Sequence, residues 1–187
     1  MLLKKVVESK KNIMKKLVAI VFLGLSLAFS GTVSAQKNIA KLLPIGAMIQ
    51  TAHAGGSTST NSLYQFGVGF ERVFGVKTSG QLDIGGAFTS AARGGAMGYL
   101  KPAFKYYLLA DAPHGLSIGA YVPLAFSSNA IIVGFGPQVG YQMFFLSDKL
   151  AVGADFGLGF GYTKWTGGAG GAAGANININ VGAGYAF

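Results

Sequence analysis

Residues 177–187 read Ile177-Asn178-Ile179-Asn180-Val181-Gly182-Ala183-Gly184-Tyr185-Ala186-Phe187. Successive side chains of a strand point to opposite faces, so this stretch has an apolar face (Ile177, Ile179, Val181, Ala183, Tyr185, Phe187) and a small or polar one. The apolar face runs to the final residue and ends in aromatic rings. Water gives no reason for that ending, whereas a strand in lipid has reason to put aromatic rings at the membrane boundary.

Working back from this stretch, the same period-2 pattern recurs and predicts eight strands: 43–52, 63–74, 80–90, 96–109, 116–126, 131–145, 150–162 and 177–187. In 63–74, Tyr64, Phe66, Val68 and Phe70 alternate with Gln65, Gly67, Gly69 and Glu71. In 150–162, Val152, Phe156, Leu158 and Phe160 alternate with Gly153, Asp155, Gly157 and Gly159. Short polar turns (75–79, 110–115, 146–149) alternate with connections 53–62, 90–95, 127–130 and 163–175, of which the first and last are expected to be long outer loops. Eleven residues at about 3.3 Å each, tilted near 40–45°, span roughly 25 Å, the height of a barrel's apolar band. The expected fold is an all-β, eight-stranded, antiparallel up-and-down transmembrane barrel.

Two other readings fail on physical grounds. Residues 112–147 contain no Asp, Glu, Lys or Arg, but they hold several Gly plus Pro123 and Pro137, and their large residues recur at spacing two rather than three and four. A soluble sandwich would leave Phe66, Phe70, Phe135, Phe156 and Phe160 as a wide apolar patch in water.

The N-terminus reads as an export signal. Lys15 and Lys16 precede an apolar run from Leu17 to Phe29, and Val33-Ser34-Ala35 supplies small residues for cleavage before Gln36. Residues 1–35 are therefore expected to be a cleavable signal peptide, with Met1–Ile13 either a long n-region or residues upstream of a true start at Met14. Residues 36–42 are expected to be a short N-terminal periplasmic segment and 43–187 the barrel. Six of the 15 Lys/Arg and one of the six acids lie in 1–35, leaving nine bases against five acids, a net charge of +4 rather than +9. No basic cluster remains that could neutralise phosphates, so nucleic-acid binding is not expected. The chain is 51% hydrophobic and only 11% charged, with 30 Gly and no Cys. That composition argues against disorder, and the missing Cys excludes disulfides and thiolate metal sites.

Eight strands enclose a space that side chains fill. The pattern turns Glu71, Asp83, Lys101, Lys105 and Asp155 inward, together with Tyr99, Tyr107 and Tyr121. Glu71, Asp83 and Lys105 fall toward the periplasmic halves of consecutive strands, so contact among them is expected as part of a lumen charge network. A narrow polar conduit lined by the same charges is the functional alternative. Arg72 falls on the lipid face near the inner rim, and Trp165 near the outer rim.

Catalytic signals are thin. His53 and His114 fall at opposite ends and cannot share a site. Ser128-Asn129 resembles part of the His-x-Ser-Asn motif of outer-membrane lipid A deacylases, but Phe126 stands where the general base belongs. Gly167–Gly174 is no phosphate loop, since no Lys-Ser/Thr follows. No catalytic residue, cofactor or metal site is expected.

With its eight amphipathic strands, signal peptide and terminal Tyr185-Ala186-Phe187, the chain resembles the small OmpA/OmpX-like outer-membrane β-barrels over residues 43–187. The resemblance implies the outer membrane of a Gram-negative envelope, contact with outer-membrane lipids including lipopolysaccharide, and delivery by periplasmic chaperones to the barrel-assembly machinery. Tyr185 and Phe187 would then be the assembly signal. It leaves open any ligand of the outer loops. The expected function is a non-enzymatic structural or surface-interacting barrel, with a narrow pore as the alternative and a lipid-modifying enzyme more remote.

Overall fold

The computed structural model describes residues 37–54, 57–89, 95–166 and 170–187. The signal peptide expected at 1–35 lies outside them, as does most of the 90–95 connection. Nine antiparallel strands form one sheet: β1 (Asn38–Ala54), β2 (Ser57–Gly75), β3 (Thr78–Thr89), β4 (Ala96–Tyr107), β5 (Gly115–Tyr121), β6 (Leu124–Phe126), β7 (Ala130–Phe145), β8 (Leu150–Trp165) and β9 (Gly171–Ala186). The sheet closes on itself, because β1 pairs with both β2 and β9 while β4 pairs with β3, β5 and β6.

Strands β5 and β6 occupy one wall position, interrupted at Val122 and Pro123, so the ring has eight positions. A proline has no N–H for the ladder. Here Val122 N donates to Pro102 O at 3.0 Å and Gly134 N to Pro123 O at 2.9 Å, which keeps the chain on the wall. At the seam, Asn38 and Phe187 exchange two backbone hydrogen bonds of 2.9 Å. We call the end carrying these two residues the inner end. Closure leaves no open strand edge, the condition for backbone to cross a bilayer.

The outside of the wall is apolar. Leu42, Ile45, Phe66, Val68, Ile84, Phe104, Phe135, Val139, Phe160 and Val181 are all exposed. Among the described outward positions the charged ones are Arg72 and Lys164, near opposite ends of the wall. Such a belt is stable against acyl chains and not against water. This is a membrane-spanning β-barrel. Outward glycines let rings lie flat on the wall: a Cβ at Gly86 would sit 2.6 Å from the Phe66 ring, and one at Gly98 2.5 Å from Phe126.

Two sequence expectations need correction. The first strand begins at Asn38, not Leu43, so residues 38–42 belong to the wall and not to an N-terminal segment. The pairing of β1 with both neighbours shifts around Pro44, between Leu43 and Gly46 on β2 and between Leu42 and Ile45 on β9. A bulge there absorbs one residue and reverses which numbers face inward. Ile39, Lys41 and Leu43 face the lumen below it, and Gly46, Met48 and Gln50 above it. Finally, 53–62 and 163–175 are largely strand. β2 has 19 residues, about 60 Å of chain, and so carries its Ser/Thr-rich start beyond the roughly 25 Å apolar band.

Candidate functional site

The inward faces of all eight wall positions meet in a packed lumen. Three ion pairs lie within it, two between neighbouring strands and one across the lumen. Lys41 (β1) pairs with Glu71 (β2). Lys101 Nζ (β4) lies 3.0 Å from Asp83 Oδ2 (β3), with both side chains at most 2% exposed. Lys105 Nζ (β4) lies 2.7 Å from Asp155 Oδ1 (β8). Three lysines therefore match three carboxylates, as burial requires.

The pairs are joined into a network. Glu71 also accepts from Tyr107 OH at 2.6 Å and Ser79 Oγ at 2.5 Å. Lys41 donates to Gln81 Oε1 at 3.0 Å, and Gln81 Nε2 donates to both oxygens of Asp83 at 2.8 and 2.9 Å. Lys101 continues to Asn178 Oδ1 at 3.5 Å, and the Asn180 amide donates to that same oxygen. Tyr121 OH donates to Asn176 Oδ1 at 2.6 Å. Several of these bonds are struts between distant strands: β4 to β8, β4 to β9 and β5 to β9.

Glycines on the inward face make room for these groups. A Cβ at Gly69 would stand 2.4 Å from Asp83 Oδ1, and one at Gly140 2.3 Å from Asp155 Oδ1. A Cβ at Gly157 would meet the Tyr121 ring at 2.4 Å. These inward glycines are sockets for polar side chains and rings of other strands.

Apolar clusters flank the network. Met48, Leu63, Ala87, Met97, Tyr99, Ala125 and Ile132 pack together toward the outer end. Ile39, Ala151 and Ala186, with Phe144 against them, pack near the inner end. A turn also reaches the inner opening, where lumen Gln142 Nε2 donates to Pro113 O at 2.7 Å. A cavity of about 10 Å³ remains beside Lys41, Lys105, Asp155 and Asn180, close to the least that holds one water. Among the described residues, six buried polar side-chain atoms have no hydrogen-bond partner: Gln50 Nε2, Gln65 Oε1, Tyr99 OH, Gln138 Nε2, Asn178 Nδ2 and Asn180 Oδ1.

All five charged residues expected in the lumen are inward; Glu71, Asp83, Lys101 and Lys105 are buried, and Asp155 keeps 11% of its side chain exposed. Glu71, Asp83 and Lys105 form no ion pair with one another; each takes a different partner. Lys41 was absent from the expected set. It lies in 36–42, expected to be a periplasmic segment outside the barrel, whereas β1 starts at Asn38 and carries it into the wall. Tyr185 and Phe187 lie exposed on the outward face at the inner end. His53, bonded to Thr58 at 2.9 Å through Nδ1, and His114, edge-on to Phe144, lie at opposite ends of the wall.

No protein-family model matches the chain, and no curated protein matches it. Among solved structures it is similar to the outer membrane protein OprG from Pseudomonas aeruginosa, with 13% identity and a TM-score of 0.47 over 84% of this chain and 98% of that one. It is also similar to the translocator domain of the autotransporter NalP from Neisseria meningitidis, with 12% identity and a TM-score of 0.34 over 96% of this chain and 98% of that one.

Proposed function

We infer that this outer-membrane β-barrel is a non-enzymatic structural or surface-interacting protein whose filled lumen does not conduct. One observation supports the reading above the rest: three mutually satisfied ion pairs, tied by cross-lumen struts, lie between two apolar clusters, with a water-sized gap beside them. An ion crossing this lumen would have to part buried charge pairs, which are costly to separate. The hairpins that project past the outer rim carry Thr58, Ser59 and Thr60 exposed, a hydroxyl-rich surface suited to contact with the surroundings. Tyr185 and Phe187, at the closing strand, serve in this reading as the signal for the barrel-assembly machinery.

The test is conductance of the mature protein in planar bilayers. Traces indistinguishable from a lipid-only control are expected, while reproducible unitary steps would establish the narrow-pore reading in its place. That second reading draws on the six unpartnered lumen groups, which would favour polar molecules inside.

A further inference from the structure

From residue 36 onward the chain carries five carboxylates. Glu71, Asp83 and Asp155 are used in the lumen pairs, and Asp111 and Asp148 stand on inner-end turns. Among the described residues the outer end therefore has no acid, and the lysine on its outward face is Lys164.

Lys164 points outward because its neighbour Thr163 turns inward to bond Gln50 Oε1 at 3.2 Å. It is exposed, and no ion pair or hydrogen bond among the described residues occupies its ammonium. Two residues below it on the same face, Tyr162 belongs to the outer aromatic girdle. The Tyr162 ring lies over Gly171, where a Cβ would collide with the phenol oxygen. Gly171 is also the register partner of Lys164, so that hydroxyl stands beside the root of the lysine side chain.

The far side of β9 brings further polar groups to the same face. Ala173 is the register partner of Tyr162 on one side and of His53 on the other. His53 Nδ1 is bonded to Thr58 Oγ1 at 2.9 Å, and both residues are exposed. Lys164 and Tyr162 thus face His53 and Thr58 across a floor of Gly171 and Ala173, two strand spacings or roughly 10 Å wide. Lys164 stands two residues past the girdle ring, at headgroup depth and not acyl depth.

This arrangement has a chemical selectivity. An ammonium with a phenol hydroxyl beside it matches one phosphate through charge-assisted bonds. The flat floor, with an imidazole and a hydroxyl opposite, matches the ring and hydroxyls of a sugar attached to that phosphate. A small phosphodiester headgroup would reach the lysine and leave the far side unused. No carboxylate stands near to repel the anion.

We propose that this outer-rim basin binds the phosphorylated saccharide headgroup of a glycolipid in the leaflet at the outer end. The proposal goes beyond the function inferred above, does not depend on whether the lumen conducts, and rests on the wall spanning a membrane.

The mature barrel is folded into phosphatidylcholine vesicles doped with equal amounts of bisphosphoryl lipid A, dephosphorylated lipid A and phosphatidylglycerol. Lipid retained after extraction is read by native mass spectrometry. The wild type should keep bisphosphoryl lipid A about tenfold over either competitor, as expected from a charge-assisted contact backed by hydroxyl bonds. K164Q should bring the two forms of lipid A to near parity, K164R should keep the preference, and K149Q at the inner end should leave it unchanged. H53A/T58A should lower lipid A against phosphatidylglycerol about threefold. Excess glucosamine 1-phosphate should not displace the lipid. Full preference in K164Q, or equal retention of phosphatidylglycerol by the wild type, would overturn the basin. Displacement by the free sugar phosphate would overturn the lipid as its ligand. Failure of the wild type to enter vesicles at all, seen as the absence of a heat-modifiable band, would instead overturn the membrane-spanning reading and the basin with it.

Discussion

Lys105 of β4 meets Asp155 of β8 across the lumen, Nζ to Oδ1 at 2.7 Å, although their strands are three wall positions apart. This strut joins the middle of the chain to its last hairpin. Removing either partner strands a charge that is deeply buried. Lys105→Ala or Asp155→Ala should cost about 3–5 kcal/mol, whereas the apolar pair K105M/D155L should recover most of that loss. Urea midpoints in detergent micelles, read by Trp165 fluorescence, measure the cycle. A loss in the double equal to the sum of the two single losses would mean the strut carries no coupling.

The Gly157 socket makes a steric prediction. Gly157→Ala drives a methyl against the Tyr121 ring and should destabilise the barrel by roughly 1–3 kcal/mol. Adding Tyr121→Leu should relieve the clash, although it also removes the hydroxyl bond to Asn176. Thermal midpoints from gel heat-modifiability compare the three proteins. The idea fails if the alanine variant melts like the parent.

Val139 pairs with Ile118 and Phe156 in mid-wall, facing outward. Val139→Arg should cost about 2–4 kcal/mol in bilayers, as expected for an arginine near the midplane of a barrel wall. Thr60→Arg, on the hairpin beyond the rim, should be nearly neutral. Reversible folding into phospholipid vesicles separates the two, and similar costs would argue against the placement of the belt.

Phe187 joins the seam through backbone and presents its ring outward. Phe187→Ala keeps both bonds to Asn38 while removing the ring. As an assembly signal, the ring's loss should lower the folded fraction in cell membranes several-fold and leave the refolded protein's stability in detergent little changed. Normal insertion of the variant in cells would remove Phe187 from that role.

Much of the wall was legible in residue alternation, because a half-lipid, half-lumen environment imposes period two on every strand. The inward placement of Asp83, Lys101 and Asp155 followed from it directly. Partner choice did not, because it depends on barrel tilt and on which distant strands face one another. Nothing in the local sequence of β4 tells Lys105 that β8 lies opposite. Lys41 was missed for a different reason: residues 36–42, broken from the apolar alternation by Pro44, read as a segment before the first strand, which in fact starts at Asn38. The stretches 53–62 and 163–175 read as loops because they are rich in Gly and Ala, which are depleted in strands, and lack large apolar residues at spacing two, yet continued pairing from a firm ladder below carries most of their described residues on as strand.

The bulge in β1 is a one-residue phase shifter placed in the strand that closes the ring. Everything from Gly46 upward keeps time with β9, while Ile39, Lys41 and Leu43 run half a beat behind. Loss of any one residue from 43–45 would cancel the offset. With the upper half held in place, Lys41 would turn outward into the acyl layer, Glu71 would face Tyr107 and Ser79 without its cation, and Leu42 would enter the lumen. The length of this three-residue stretch, more than the identity of its members, decides whether the lumen's charges balance.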